Sequence, residues 1–419
     1  MRKTILLISI IILSVAGQIA NAQEPVQQIS EEEMKVEQEA SDSQHVIDSL
    51  LAEWYKKRPI PIDHYTEFPN LDEEKFTTEV PDSILIMRLE KMNSFITLPF
   101  SQTVKNYMLA YTEKNPERLS RLLAQSAYYF PIFEEILDKY DMPLELKYMS
   151  IIESALNPVA RSRVGARGIW QFMFPTAKRY GLKINSFVDE RLDVVKAADA
   201  AARYLKDAYN VFGDWALAIS SYNCGAGNVN KAIKIAGSTD FWSIYPYLPR
   251  ETRGYVPAFV GAMYAMTYYN EYGVRPGESP LPIQVDTFEI RKNLHFKQIS
   301  DLVGIPTDMI KELNPQYTHD IVPGNEGPYV LKLPYNFTGT FIAVQDTLYK
   351  HMADSLLSAK VMKSIQDGGN GEATRYKVRS GDNLGAIARR NHCTVTQLKK
   401  WNHLRSDMIR VGQILYIYR

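Results

Sequence analysis

The chain has 419 residues, 45% of them hydrophobic and 23% charged, enough for several domains and at least one real core. Its 48 Lys and Arg balance its 48 Asp and Glu, so no global field draws it to nucleic acid or acidic membranes. Two cysteines, Cys224 and Cys393, cannot build a disulfide framework; each reads as a small buried residue.

The first stretch, MRKTILLISIIILSVAGQIANAQ, has a basic start, an apolar run from Ile5 to about Ile19, and small residues at Ala20-Asn21-Ala22. That order predicts a cleaved secretory signal over residues 1–22. A non-cleaved anchor is the alternative, but the run is shorter than the roughly 20 residues a spanning helix needs. No Cys lies near the cleavage site, which argues against a lipoprotein. Export to the periplasm, with possible peripheral association with the cell envelope, is expected. Residues 23–80 are acidic and polar, then Pro-scattered, and read as a flexible or loosely attached lead-in.

From 81 to 273 the pattern is helical, giving a mainly α domain of roughly 190 residues. In PLELKYMSIIE, Pro143 suits a first turn, and Leu144, Tyr148, Ile151 and Ile152 fall on one face. In DVVKAADAAARYLKDAYNVFG, Val195, Ala198, Ala202, Leu205, Tyr209 and Phe212 repeat the helical period before Gly213 ends it. PTAKRYG, DWALAISSYNCG and GYVPAFVGAMYAMTYYNEYG add further helices.

After Gly273 the order becomes strand, helix, helix, strand over 283–335, ending at YVLKLP. Residues 346–373, closing on DGGNGE, read as a linker. From 374 to 419 the same order returns in better form, so two copies of a small β-α-α-β unit are predicted, the first degenerate. A repeat of this kind suggests a binding array rather than a second active site.

Of the seven His, none lies between His64 and His295. The helical domain therefore lacks Ser-His-Asp and Cys-His catalysis and His-based metal sites. The phosphate-cradling patterns GxxxxGK[ST] and GxGxxG are also missing from the chain. Carboxylates, amides, tyrosines and hydroxyls remain. Glu153 follows two Ile on a buried helix face, where desolvation would favour its protonated form and suit a general acid. A Glu at a helix end is ordinarily a solvated charge, and Glu145 keeps that reading. The surrounding runs alter the weighing for Glu153. GARGIWQFM places Gln171 in a Gly-containing turn that would let sugar approach the backbone; SYNCGAGNV ends a helix with Tyr222 and Asn223; ETRGYVP adds Glu251 and Tyr255.

These four runs, in order, resemble the lytic transglycosylases of the goose-type lysozyme superfamily, over about residues 117–272. The motifs are E-S, G-x-x-G-x-W-Q-F, S-Y-N-x-G-x-G and E-T-x-x-Y-V-P. YKVRSGDNLGAIARRNHCTVTQLKKWNHL resembles a LysM module, and 283–334 a weaker copy. The resemblance implies a lysozyme-like helical catalytic domain with Glu153 as the single acid/base and no cofactor. Ser154 would orient Glu153, while Gln171, Tyr222, Asn223, Glu251 and Tyr255 would line a saccharide cleft. It further implies cleavage of peptidoglycan strands between N-acetylmuramic acid and N-acetylglucosamine, giving 1,6-anhydro ends; a second carboxylate is then dispensable because the muramic 6-hydroxyl is the nucleophile. In the LysM module, Gly381, Asp382, Asn383, Leu384 and Asn402 would bind glycan, although Asp382 and Asn383 would cap the next helix in any case. Cys224 stands where Ala or Ser is usual and reads as packing, and Asn383 replaces the commoner Thr. Two rival readings stay open: a hydrolytic muramidase using Asp189, Asp193 or Glu251 as a second carboxylate, and a non-catalytic glycan-binding scaffold. Neither composition nor motif specifies an oligomeric state.

Overall fold

The computed structural model describes residues 71–419 apart from 72–73, 97–98, 163, 280, 283, 367–372, 392, 403, 405 and 419. The expected signal (1–22) and most of the expected lead-in (23–80) lie outside the described residues. The end of that lead-in is not loose, however. Leu71 is buried in the helical core, and the Asn106 amide donates to the carbonyls of Leu71 at 2.8 Å and Glu74 at 2.7 Å.

The helical domain runs through α1 (Asp82–Lys91), α2 (Gln102–Leu109), α3 (Pro116–Lys139), α4 (Met149–Ser154), α5 (Phe174–Arg179), α6 (Val194–Phe212), α7 (Trp215–Cys224), α8 (Ala226–Ala236), α9 (Phe241–Ile244), α10 (Arg250–Arg253) and α11 (Tyr255–Tyr268). The central element is α11, in which every residue from Tyr255 to Met266 is buried; a helix apolar all round must lie inside the fold. Pro257 sits in its first turn, where the missing N–H has no intrahelical partner to lose. Opposite, α2 comes so close that a Cβ on Gly261 would sit 2.8 Å from the Tyr107 backbone carbon. Glycine here permits the helix contact.

Sequence punctuation sets the helix ends. Asp193 caps α6 by accepting from the amides of Val195 and Lys196, Gly213 ends it in the left-handed region, and Asp214 at once caps α7 through Leu217 N. One predicted face shifts. Leu144–Tyr148 winds as a 3-10 helix before α4, so Leu144 leaves the buried stripe and is 40% exposed, while Ile151 and Ile152 stay buried. Val195, in the first turn of α6, is also exposed.

Two small β-containing units follow. In the first, β1 (Val285–Ile290) pairs antiparallel with β4 (Tyr329–Pro334), and a short pair, β2 (Asn293–His295) with β3 (Ile321–Pro323), is inserted between them. Helices α12 (Phe296–Val303) and α13 (Thr307–Leu313) supply the α-α part. The expected linker over 346–373 is corrected by what comes next: α14 (Thr338–Ala343), α15 (Gln345–Leu348), α16 (Ala353–Leu356) and α17 (Ala359–Gln366). Phe341, Leu348 and Ile365 are buried in the same core as the strands. Gln298 secures this cover by donating to the carbonyls of Leu348 and His351. Apolar residues every three or four positions, not the polar tail, decide this segment. In the second unit, β5 (Ala373–Lys377) pairs with β6 (Ile414–Tyr418) around α18 (Leu384–Arg390) and α19 (Val395–Trp401). No helix among the described residues is long and apolar enough to cross a membrane.

Candidate active site

Glu153 is the penultimate residue of α4, and the chain then turns through two left-handed residues, Ala155 (φ 52°) and Leu156 (φ 62°). Gln171, across the site, has φ 48°. Three non-glycine residues in this region mark strain that the packing sustains, at about 1–3 kcal/mol each. The site is built where backbone preference is overridden.

Glu153 keeps part of its surface toward solvent, but protein atoms crowd its carboxyl. Burial raises its pKa to about 7, against a smaller opposing pull from the hydrogen bond that the Tyr255 hydroxyl donates to Oε1. Tyr255 heads α11; Tyr222 ends α7 and donates to the Trp170 carbonyl at 2.8 Å. Both phenols are pushed well above their usual pKa, first by burial and then by the nearby Glu153 charge. They stay protonated donors throughout the working pH range.

The remaining sequence-derived residues divide. Ser154 does not orient the carboxyl through a hydrogen bond: its fully buried hydroxyl donates to the carbonyls of Ser150 and Ile169, fastening α4 to the 167–172 turn. Gln171 donates to the Gly168 carbonyl at 2.7 Å, while its Oε1 is buried without a partner, as is Trp170 Nε1. Asn223 is exposed and accepts from Thr252 Oγ1 at 2.8 Å; Glu251, the neighbour of Thr252, is exposed as well. The expected space for sugar at the glycine turn is only partly open. At Gly168 a Cβ would overlap the Arg191 carbonyl, so the protein's own backbone fills that approach, whereas Gly165 is unobstructed. Cys224 is half-buried, and burial raises its thiol pKa, the reverse of an activated nucleophile.

Two of the carboxylates considered as water activators, Asp189 and Asp193, are already engaged elsewhere. Asp189 is buried and held by Arg191 (2.9 and 2.8 Å) and Arg167 (3.0 Å). Burial pushes its pKa up, but the two guanidiniums outweigh that and leave it lowered. Asp193 spends its oxygen on the α6 cap.

Two features escaped the sequence reading. Tyr204 stacks edge-on against Tyr222, centroids 5.0 Å apart, and donates to the Ser221 carbonyl; a Tyr just after the alanine run of α6 was the available signal. The Arg167–Asp189–Arg191 cluster was legible only as opposite charges flanking the glycine turn.

In the second β-α-α-β unit, the proposed glycan-binding residues mostly serve the fold. Asn402 donates to the carbonyls of Leu398 and Tyr416 and accepts from Tyr416 N, joining α19 to β6. Asp382 accepts from the Arg379 amide, Arg390 and the Tyr376 hydroxyl, which together lower its pKa to about 2, the Arg379 amide contributing most. Asn383 caps α18 through Ala386 N, which explains why Asn can stand for Thr there, and Leu384 is buried. Gly381 alone of the five is an exposed turn residue with φ 84°.

Three stretches of the chain match known families. Residues 130–245 match the Transglycosylase SLT domain, residues 284–350 the Lytic transglycosylase MltD, LysM-like domain, and residues 376–417 the LysM domain. Membrane-bound lytic murein transglycosylase D of Escherichia coli (strain K12) is 33% identical over 284 residues, 67% of this chain, and the chain spans 61% of that relative's length. Membrane-bound lytic murein transglycosylase F of Shewanella sediminis (strain HAW-EB3) is 39% identical over 94 residues, 20% of this chain and 18% of its own. The crystal structure of the 70 kDa soluble lytic transglycosylase Slt70 from Escherichia coli aligns at 18% identity and TM-score 0.32, over 57% of this chain and 45% of that one. The chain therefore carries a transglycosylase SLT domain followed by an MltD-type LysM-like domain and a LysM domain.

Proposed function

We propose that this protein is a peptidoglycan lytic transglycosylase, with Glu153 as its only acid/base. One observation carries the reading: a carboxyl whose pKa is raised by burial to about 7, with the Tyr255 hydroxyl on its oxygen. Such a group is protonated often enough at neutral pH to give its proton away, and once ionised it is stabilised by the same phenol.

Glu153 donates its proton to the glycosidic oxygen between the muramic C1 and the following N-acetylglucosamine, and that C1–O bond breaks. The muramic 6-hydroxyl then bonds to C1 while the Glu153 carboxylate takes its proton. The acid is regenerated and a 1,6-anhydro end is left, with no water consumed. Tyr222, Gln171 and Asn223 serve as polar contacts for the sugar. Ser154 acts one step back, through the turn it fastens. The exposed Glu251 is a rim residue.

The muramidase alternative needs a second carboxylate to activate water. Asp189 is ion-paired, Asp193 is a cap and Glu251 is exposed, which weighs against it. The cell envelope, reached by export of the protein and with glycan strands as partner, is the setting we propose; the LysM domain adds local substrate concentration without changing the chemistry. Mass spectrometry of digested sacculi tests the reading: anhydro-muramic ends are expected, and reducing ends would favour the muramidase. Glu153→Gln is expected to abolish release while leaving sacculus binding nearly unchanged. Retained release by that variant would remove the assigned acid.

A further inference from the structure

The LysM-like unit and the helical domain exchange core residues. Phe187 and Val188, from the loop between α5 and α6, are buried in the core of the LysM-like unit. In return Leu313, at the end of α13, is buried in the helical core, and Val285 packs against it. Backbone bonds fasten the junction: Asp189 N donates to the Gln316 carbonyl and Thr318 N to the Phe187 carbonyl, both at 2.9 Å.

The next residue in that loop leads to the candidate acid. Asp189 joins Arg191 and Arg167, and all of these contacts are buried or half-buried. Arg167 opens the 167–172 turn, exchanging backbone bonds with Phe172 at 3.1 and 3.0 Å. The Arg191 carbonyl presses on Gly168, with its carbon 2.8 Å from where a Cβ would lie. From this turn the Ile169 carbonyl holds Ser154, beside Glu153, and the Trp170 carbonyl holds Tyr222. Every link is a hydrogen bond, an ion pair or a close contact.

We propose that Asp189 is a positioning residue for Glu153 and Tyr222, acting through the 167–172 turn, and that the LysM-like unit is the part of the scaffold that keeps Asp189 in place. This rests on the reading of Glu153 as the acid. The unit then serves the catalytic geometry itself, beyond any tethering of substrate. Both sides of the relay carry few titratable groups: Tyr255 and Tyr222 bear on Glu153, and Arg167 and Arg191 on Asp189, with Glu190 beside it paired to Lys196. A slackened turn would admit water to the Glu153 carboxyl and return it toward the ordinary range.

The test uses the full chain with Asp189→Asn, which keeps the shape and removes the charge, and Phe187→Leu, which trims the junction more gently. Initial rates of glycan release are followed against pH and substrate concentration. Asp189→Asn is expected to lower kcat on the order of tenfold to a hundredfold with KM little changed. The alkaline midpoint of its rate profile is expected to move below that of the wild type. Phe187→Leu should shift the midpoint the same way by less, and it carries the test if Asp189→Asn does not fold. A purely structural role would lower the melting temperature while leaving the midpoint in place. Unmoved midpoints and unchanged turnover per folded molecule in both variants would overturn the proposal. Glu153→Gln separates the two readings: activity in that variant sinks the assigned acid, whereas an inactive Glu153→Gln beside unaffected Asp189→Asn and Phe187→Leu sinks only the relay.

Discussion

The two β-α-α-β units share a topology and one telling side chain. Asn314 and Asn402 each end the second helix, each donate to a carbonyl one turn back and to a strand carbonyl, and each accept from the amide of that same strand residue, Lys332 or Tyr416. Their surroundings diverge. Asn314 is fully buried in a unit that takes Phe187 and Val188 from the helical domain and is covered by α14–α17. Asn402 is partly exposed in a unit whose core, Val378 to Ile417, comes from its own residues. A small unit with its own core can work as a separable module; one that trades core residues becomes a component of its neighbour.

The largest expected contrast follows from that difference. A chain ending at Gln366 should fold and cleave soluble glycan while binding sacculi less well. One ending at Gly273 should lose its cooperative melt, because Phe187 and Val188 lose their cover. Circular dichroism melts decide this, and equal stability of the two truncations would contradict the component reading.

A smaller contrast lies in the asparagines. Asn314→Ala leaves buried backbone groups unpaired and should cost about 2 kcal/mol, near the middle of the range for such losses. Asn402→Ala should cost about half as much, since water can take over the bonds. Urea titration of each variant measures both, and an inverted order would break the comparison.

The smallest effect concerns acid. Asp382 has a folded pKa of about 2, below its ordinary value of 3.8. The stability it contributes is therefore present above pH 3.8 and lost as pH falls toward 2. Fluorescence of the buried Trp401 should report an acid transition in the second unit that Asp382→Asn lacks.

Much of this organisation was legible in the sequence. Helix boundaries at Asp193, Gly213 and Asp214 follow from capping chemistry, and the motif residues Glu153, Tyr222 and Tyr255 come together in space. The segment after residue 346 was misread because its glycine-rich end outweighed the spacing of Leu348, Leu357, Val361 and Ile365, whose burial depends on strands far earlier in the chain. The function of Ser154 and Asn402 was also out of reach, since a short polar side chain near a motif can serve substrate or backbone equally well, and only the fold places the competing carbonyls. The exchange of Phe187 for Leu313 is a tertiary fact with no local signature.

At the centre stands one carboxyl kept neutral by burial. An acid whose folded pKa of about 7 exceeds its reference value of 4.5 favours the folded state most below pH 4.5, and that advantage is lost as pH rises from 4.5 through 7. Removing its charge should thus stabilise the protein only at high pH. The direct measurement is the unfolding free energy of wild type and Glu153→Gln from pH 4 to 9. The variant should gain up to about 3 kcal/mol over the wild type, relative to their difference at pH 4, with the gain developing through pH 5–8. A difference that stays constant across the whole range would mean that residue 153 titrates as an ordinary solvated glutamate, and would contradict the account.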